Sequence, residues 1–165
     1  MRTDTPQTIH LRDYAPPPYL IDEVELHFTI APETTRVEAR LHMRPNPVCE
    51  TKNAALELDG EELTLDMLSI DGRELAAGDF NKTDNMLVVG AVPQQPFIIE
   101  TVVTINPEAN TTLSGLYLSN GVYSTQCEAE GFRRITYFLD RPDVLSTYRV
   151  KITADKSRLP VLLSN

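Results

Sequence analysis

Apolar and polar residues alternate with a period of two over much of this chain. That period commits those stretches to β-strands with one wet face. Val24, Leu26, Phe28 and Ile30 alternate with Glu25, His27 and Thr29, and Val37, Ala39, Leu41 and Met43 alternate with Glu38, Arg40 and His42. Successive side chains of a strand point to opposite faces, so each run reads as a half-buried strand. Ala31-Pro32-Glu33-Thr34-Thr35 between them reads as a hairpin loop. Keeping the apolar sides together predicts Ile30 opposite Val37 and Phe28 opposite Ala39, with Glu25 opposite His42 and His27 opposite Arg40 on the wet side.

Further strands follow, each with turn punctuation. Leu63 to Ile70 runs into Asp71-Gly72, and Arg73 to Ala77 returns. Met86 to Val89 and Phe97 to Ile105 flank a loop that holds Pro93 and Pro96. Leu116 to Ser119 meets Asn120-Gly121, a strong type I′ signal, and Val122 to Glu128 runs back. Tyr148, Val150, Ile152 and Ala154 mark a late strand. Pro142 interrupts the longest helical candidate, and one short turn over Pro142 to Thr147, opened by Asp140, is the most helix the pattern supports. Many short strands at even spacing predict an all-β fold, a sandwich or a pair of curved sheets.

The chain's 165 residues are one domain's worth. Its net charge of −9 comes from 24 acidic against 15 basic residues, which argues against nucleic acid as a partner. The longest uncharged apolar stretch, Met86 to Val92, is far short of the roughly 20 residues of a membrane span. Met1 to Thr5 has no apolar signal core. Two cysteines, Cys49 and Cys127, make no disulfide framework. Together these predict a reducing, cytoplasmic setting. The apolar ending from Pro160 to Asn165 suggests a piece of a longer protein, the alternative being a natural last strand tucked into the sheet.

The densest polar cluster is Thr125-Gln126-Cys127-Glu128-Ala129-Glu130-Gly131-Phe132-Arg133-Arg134. The Asn120-Gly121 turn pairs Ser119 with Val122, Tyr117 with Ser124 and Gly115 with Gln126. A continuing strand then puts Gln126, Glu128 and Glu130 on one face. Carboxylates two residues apart on a strand lie roughly 7 Å apart and call for a cation. Arg133 and Arg134 could supply it within the chain, leaving a solvated strand face. A ligand's primary ammonium could supply it instead, since three donors and no acceptor suit a carboxylate plus an amide oxygen. Glycosidase-type chemistry is disfavoured, because its two carboxylates flank a bond from different elements. His10, His27 and His42 do not show zinc-ligand spacing. Cys127 has no histidine nearby in sequence and reads as packing rather than a nucleophile.

These residues carry a resemblance. Gly115-Leu116-Tyr117, then Thr125 to Arg133, then Asp140-Arg141-Pro142-Asp143 closely resemble the bacterial aminopeptidase N family, zinc-dependent alanyl aminopeptidases of the gluzincin class. The likeness extends through Lys151 to Lys156 and Leu162 to Asn165, with Arg12-Asp13-Tyr14 near the start. It implies an all-β, saddle-shaped N-terminal domain over residues 1–165, truncated at its C-terminal end. A downstream catalytic domain of the same polypeptide would carry the zinc. By that resemblance Gln126 and Glu128 bind the free amino terminus and first side chain of a peptide substrate. Gly131, Phe132 and Arg133 match positions that support the loop.

The family's zinc signature, two histidines on one helix with a glutamate between them, is absent from this sequence. So are its second zinc glutamate and its Gly-Ala-Met-Glu-Asn loop. The zinc-activated water that attacks the peptide bond cannot be assembled from these residues. The expectation is therefore a domain without catalytic or metal-binding residues of its own, inactive alone, with an open sheet edge where strands are missing. Two alternatives remain at this point: a free-standing β-sandwich that binds a partner or ligand, and a structural domain whose acids pair with Arg133 and Arg134. The gene beyond Asn165 separates the first from an enzyme domain.

Overall fold

The computed structural model describes residues 10–51 and 53–164. The Met1 to Thr5 reading lies outside them. The expected all-β architecture is present, as one large sheet with two small ones. β1 (Tyr19–Thr29), β2 (Thr35–Pro45), β4 (Thr64–Ile70), β5 (Arg73–Glu74), β8 (Phe97–Ile105) and β11 (Thr147–Thr153) form a six-stranded sheet in the order β11-β1-β2-β8-β4-β5. β3 (Leu56–Asp59), β6 (Phe80–Lys82) and β7 (Met86–Val89) form a second sheet. β9 (Gly115–Ser119) and β10 (Val122–Gln126) form a hairpin. Every pairing in these sheets is antiparallel except β1 with β11.

One face of the large sheet makes the core. Val24, Leu26 and Phe28 of β1, Val37, Ala39, Leu41 and Met43 of β2, and Ile99, Val103 and Ile105 of β8 are all buried. Leu56, Leu58, Leu87 and Val89 of the second sheet join the same cluster. β1 also begins earlier than its alternation announces. The β1–β2 register shifts between Ile21 and Glu23, so the buried set passes from Tyr19 and Ile21 to Val24, Leu26 and Phe28. A bulge of this kind inserts one residue and inverts the faces beyond it.

Two expectations are corrected. The β1–β2 hairpin is displaced by two residues: Phe28 lies opposite Val37, Leu26 opposite Ala39, Glu25 opposite Arg40 and His27 opposite Glu38. A slip of two leaves every side chain on its own face, so alternation cannot detect it. The loop decides it. Buried Thr35 donates from Oγ1 to the Ala31 carbonyl at 2.5 Å and accepts from the Ala31 N–H at 3.0 Å.

The helical turn over Pro142 to Thr147 does not form. Asp143 is engaged by Arg141 at 2.9 and 2.8 Å and by the Tyr14 hydroxyl at 2.9 Å. Ser146 donates to the Ile21 carbonyl, and Thr147 already opens β11. The only helical turns among the described residues are 3₁₀, at Leu11–Asp13 and Phe132–Arg134. The apolar ending does not form the last strand tucked into the sheet that was the alternative reading: a turn on Asp155, which accepts from the Ser157, Arg158 and Leu159 amides, leads the chain off β11, and Val161 and Leu163 are exposed.

Candidate functional site

The β9–β10 hairpin has the predicted register. Ser119 lies opposite Val122, Tyr117 opposite Ser124 and Gly115 opposite Gln126. Asn120 and Gly121 both have positive φ, at 50° and 79°, as a type I′ turn requires. β10 then stops at Gln126, because β9 offers no partner beyond Gly115. The chain there bends through Leu113 (φ 57°), and Asn110 Nδ2 holds the Ser114 and Leu116 carbonyls at 2.8 and 2.9 Å.

The shared strand face of Gln126, Glu128 and Glu130 is therefore overturned. Glu128 and Glu130 sit in a tight turn closed by the Gly131 N–H on the Cys127 carbonyl at 2.9 Å. The Glu128–Ala129 peptide is cis. Gln126 and Glu128 do meet, through Gln126 Nε2 donating to the Glu128 backbone carbonyl at 3.3 Å. Both side chains are exposed.

Two glycines make this approach possible. A Cβ on Gly131 would lie 2.5 Å from the Gln126 carbonyl oxygen and 2.8 Å from Cys127 Cα. A Cβ on Gly115, at φ +75°, would lie 2.7 Å from Arg134 Cβ. The bare backbone predicted opposite Gln126 is thus where the turn and the 3₁₀ segment pack.

The arginines pair with most of the surrounding acids, Glu130 of the expected pair among them but not Glu128. Arg133 binds Asp140 through its N–H and Nε at 3.2 and 2.9 Å, and lies 3.7 Å from both Asp59 and Glu130. Arg134 donates to Glu61 at 3.1 Å and touches Glu62. Burial pushes the Asp59 carboxyl above its ordinary range, against the pull of Arg133. Glu128 has no ion pair or side-chain hydrogen bond among the described residues. It lines a shallow concavity of about 430 Å³ together with Glu61, Thr112, Ser114, Glu130 and Arg134.

Sequence reasoning named Arg134 as a candidate partner of this cluster but missed Glu61 as a neighbour of Glu128. The acidic run Asp59-Gly60-Glu61-Glu62 is visible, but Glu61 and Arg134 are 73 residues apart. Cys127 is half-buried, and burial with nearby Asp140 raises its thiol, which disfavours the nucleophilic thiolate.

A zinc site does not fit the residues described. No group of three His, Cys, Asp or Glu among them could hold a metal ion. His27 contacts Glu38 at 3.3 Å and Thr153 at 2.9 Å, while His42 contacts Glu25 at 2.9 Å. With His27 opposite Glu38 and His42 opposite Glu23, the two rings lie farther apart than the diagonal neighbours the expected register implied.

The chain belongs to the Peptidase M1 N-terminal domain family, whose profile matches residues 16–165. It is 50% identical over its whole length to aminopeptidase N of Caulobacter vibrioides, and 40% identical over 99% of its length to aminopeptidase N of Escherichia coli. The crystal structure of Legionella pneumophila aminopeptidase A in complex with aspartic acid superposes with a TM-score of 0.88, at 37% identity over 94% of this chain. The chain spans 18% of the length of each of these three proteins. An M1 zinc metallopeptidase of Deinococcus radiodurans shares the fold at a TM-score of 0.66 and 16% identity. No helix among the described residues is long and apolar enough to cross a membrane.

Proposed function

We propose that this chain is the N-terminal domain of a longer zinc aminopeptidase and that it supplies the grip on the substrate's free amino terminus. The observation carrying this reading is the contrast around Glu128. Glu130 lies beside Arg133, and Glu61 and Glu62 are matched to Arg134, while the exposed Glu128 carboxylate forms no ion pair among the described residues. A peptide's terminal ammonium is a cation with three donors, and a carboxylate is its natural acceptor. Gln126 commits its amide N–H to the Glu128 backbone, which leaves its carbonyl oxygen as a second acceptor. A fixed acceptor at the chain end measures the distance to the first peptide bond, which is what an exopeptidase requires.

The zinc and the groups that cleave the bond belong to the remainder of the polypeptide, consistent with relatives several times longer than this chain. That remainder docks where the Glu128 concavity opens.

The test is Glu128→Ala in the longer enzyme. Removing one partner of a charge pair costs about 2 kcal/mol or more, so kcat/KM for peptides with a free amino terminus should fall about 30-fold at unchanged zinc content. Full retention of activity refutes the assignment.

A further inference from the structure

We propose that Arg134 is a positioning residue of the Glu128 concavity, which by holding Glu61 directs a substrate's ammonium to Glu128. This rests on the reading of Glu128 given above. Glu61, Glu128 and Glu130 all line that concavity. An ammonium is drawn to any carboxylate it can reach, so a grip that measures one distance to the peptide bond needs the other two acids engaged. Glu130 lies 3.7 Å from Arg133. Glu61 accepts from Arg134 Nη1 at 3.1 Å.

The backbone aims Arg134 at this task. Its N–H donates to the Gly131 carbonyl at 3.1 Å, and its Cβ lies where a Cβ on Gly115 would come within 2.7 Å. With both contacts set, the side chain leaves the turn toward the loop after β3. There Nη1 meets Glu61 and Nη2 touches Glu62. The Glu61 N–H is fixed on the Arg133 carbonyl at 2.9 Å, which keeps Glu61 at the concavity. Without Arg134 its carboxylate, 26% exposed, becomes a second acceptor in the space that Glu128 lines.

Packing alone does not call for an arginine here. The side chain is only 10% exposed, and its Nε–H is buried with no hydrogen-bond partner. A buried charge with an orphaned donor costs stability that an apolar side chain of similar volume avoids. What the apolar side chain cannot do is neutralise Glu61.

The test is steady-state hydrolysis of L-alanine p-nitroanilide by the longer enzyme at unchanged zinc content. In Arg134→Met a large share of the substrate docks on Glu61, away from the reacting groups. Such non-productive binding lowers kcat and KM by the same factor and leaves kcat/KM in place, so both constants should fall about tenfold. Adding Glu61→Gln to Arg134→Met removes the second acceptor and should restore both. Arg134→Lys alone keeps the cation and should stay near wild type. The proposal is overturned if kcat and KM do not fall together in Arg134→Met, or if Glu61→Gln does not restore them, since a packing defect is indifferent to the charge on Glu61. Arg134→Gln is read by the same criteria should the methionine variant not fold, and failure of both to fold also overturns the proposal, by making Arg134 a residue of the fold. Glu128→Ala separates this inference from its foundation. Normal kinetics in Arg134→Met beside an impaired Glu128→Ala sink the role of Arg134 alone, whereas an unimpaired Glu128→Ala sinks the grip itself.

Discussion

Gly131 shows how much of the site rests on single atoms. Its missing side chain lets the 127–131 turn fold back onto the end of β10. An added Cβ would meet the Gln126 carbonyl and Cys127 Cα, both backbone, neither able to swing aside. Gly131→Ala should therefore cost about 1–3 kcal/mol, the range for overpacking a well-filled site. Gly90→Ala is the control, since nothing lies within 4 Å of a Cβ there. Thermal unfolding should show Gly131→Ala several degrees below both wild type and Gly90→Ala. Equal midpoints for the two variants would remove Gly131 from the architecture of the turn. At this scale the sequence was informative about identity and silent about direction. The Thr125 to Arg133 run marks the residues that gather, but strand alternation carried two residues too far put Glu128 on the wrong surface. β10 ends where Gly115 ends, and nothing in the local pattern of β10 announces that.

Asp143 binds two distant segments and gives the fold a titratable clasp. Hydrogen bonding from Arg141, then from Tyr14, holds its carboxyl below the usual range. Arg141 also donates to the Ala15 carbonyl at 2.9 Å, so the clasp fastens the segment around Tyr14 to the one leading into β11. A carboxyl depressed in the folded state contributes stability above its unfolded value of about 3.9, and loses it as pH falls through the lower folded value. Asp143→Asn should be less stable than wild type at pH 7, and the gap should be smaller at pH 2, as acid protonates the carboxyl. Thermal melts of both proteins at the two pH values check this; a gap of the same size at both pH values contradicts it.

Elements were legible where the period is long. β1, β2, β8 and β11 declare themselves by alternation. β3 and β6, with four and three residues, are too short to show a period. The parallel pairing of β1 with β11 lies beyond any local pattern, because it joins segments far apart in the chain. The helical turn expected at Pro142 is absent, and the carboxylate suited to capping it, Asp140, accepts from the Arg133 N–H and Nε instead.

The whole molecule is a sheet-built platform, and on the proposal above the Glu128 concavity is where it takes a cation. The net charge of −9 gives no hint of such a place, since it averages a surface on which Arg36, Arg40, Arg149 and Lys151 interleave with Glu25, Glu38 and Glu100. The family resemblance named Gln126 and Glu128, and of these Glu128 forms no ion pair among the described residues while it lines a concavity with Glu61 and Arg134. The most direct measurement is a crystal structure of the longer enzyme with an amino acid bound at its active site. The ligand's ammonium nitrogen should lie about 3 Å from a Glu128 carboxylate oxygen. An ammonium bound by other groups, with Glu128 turned to solvent out of hydrogen-bond reach, would contradict the proposed role.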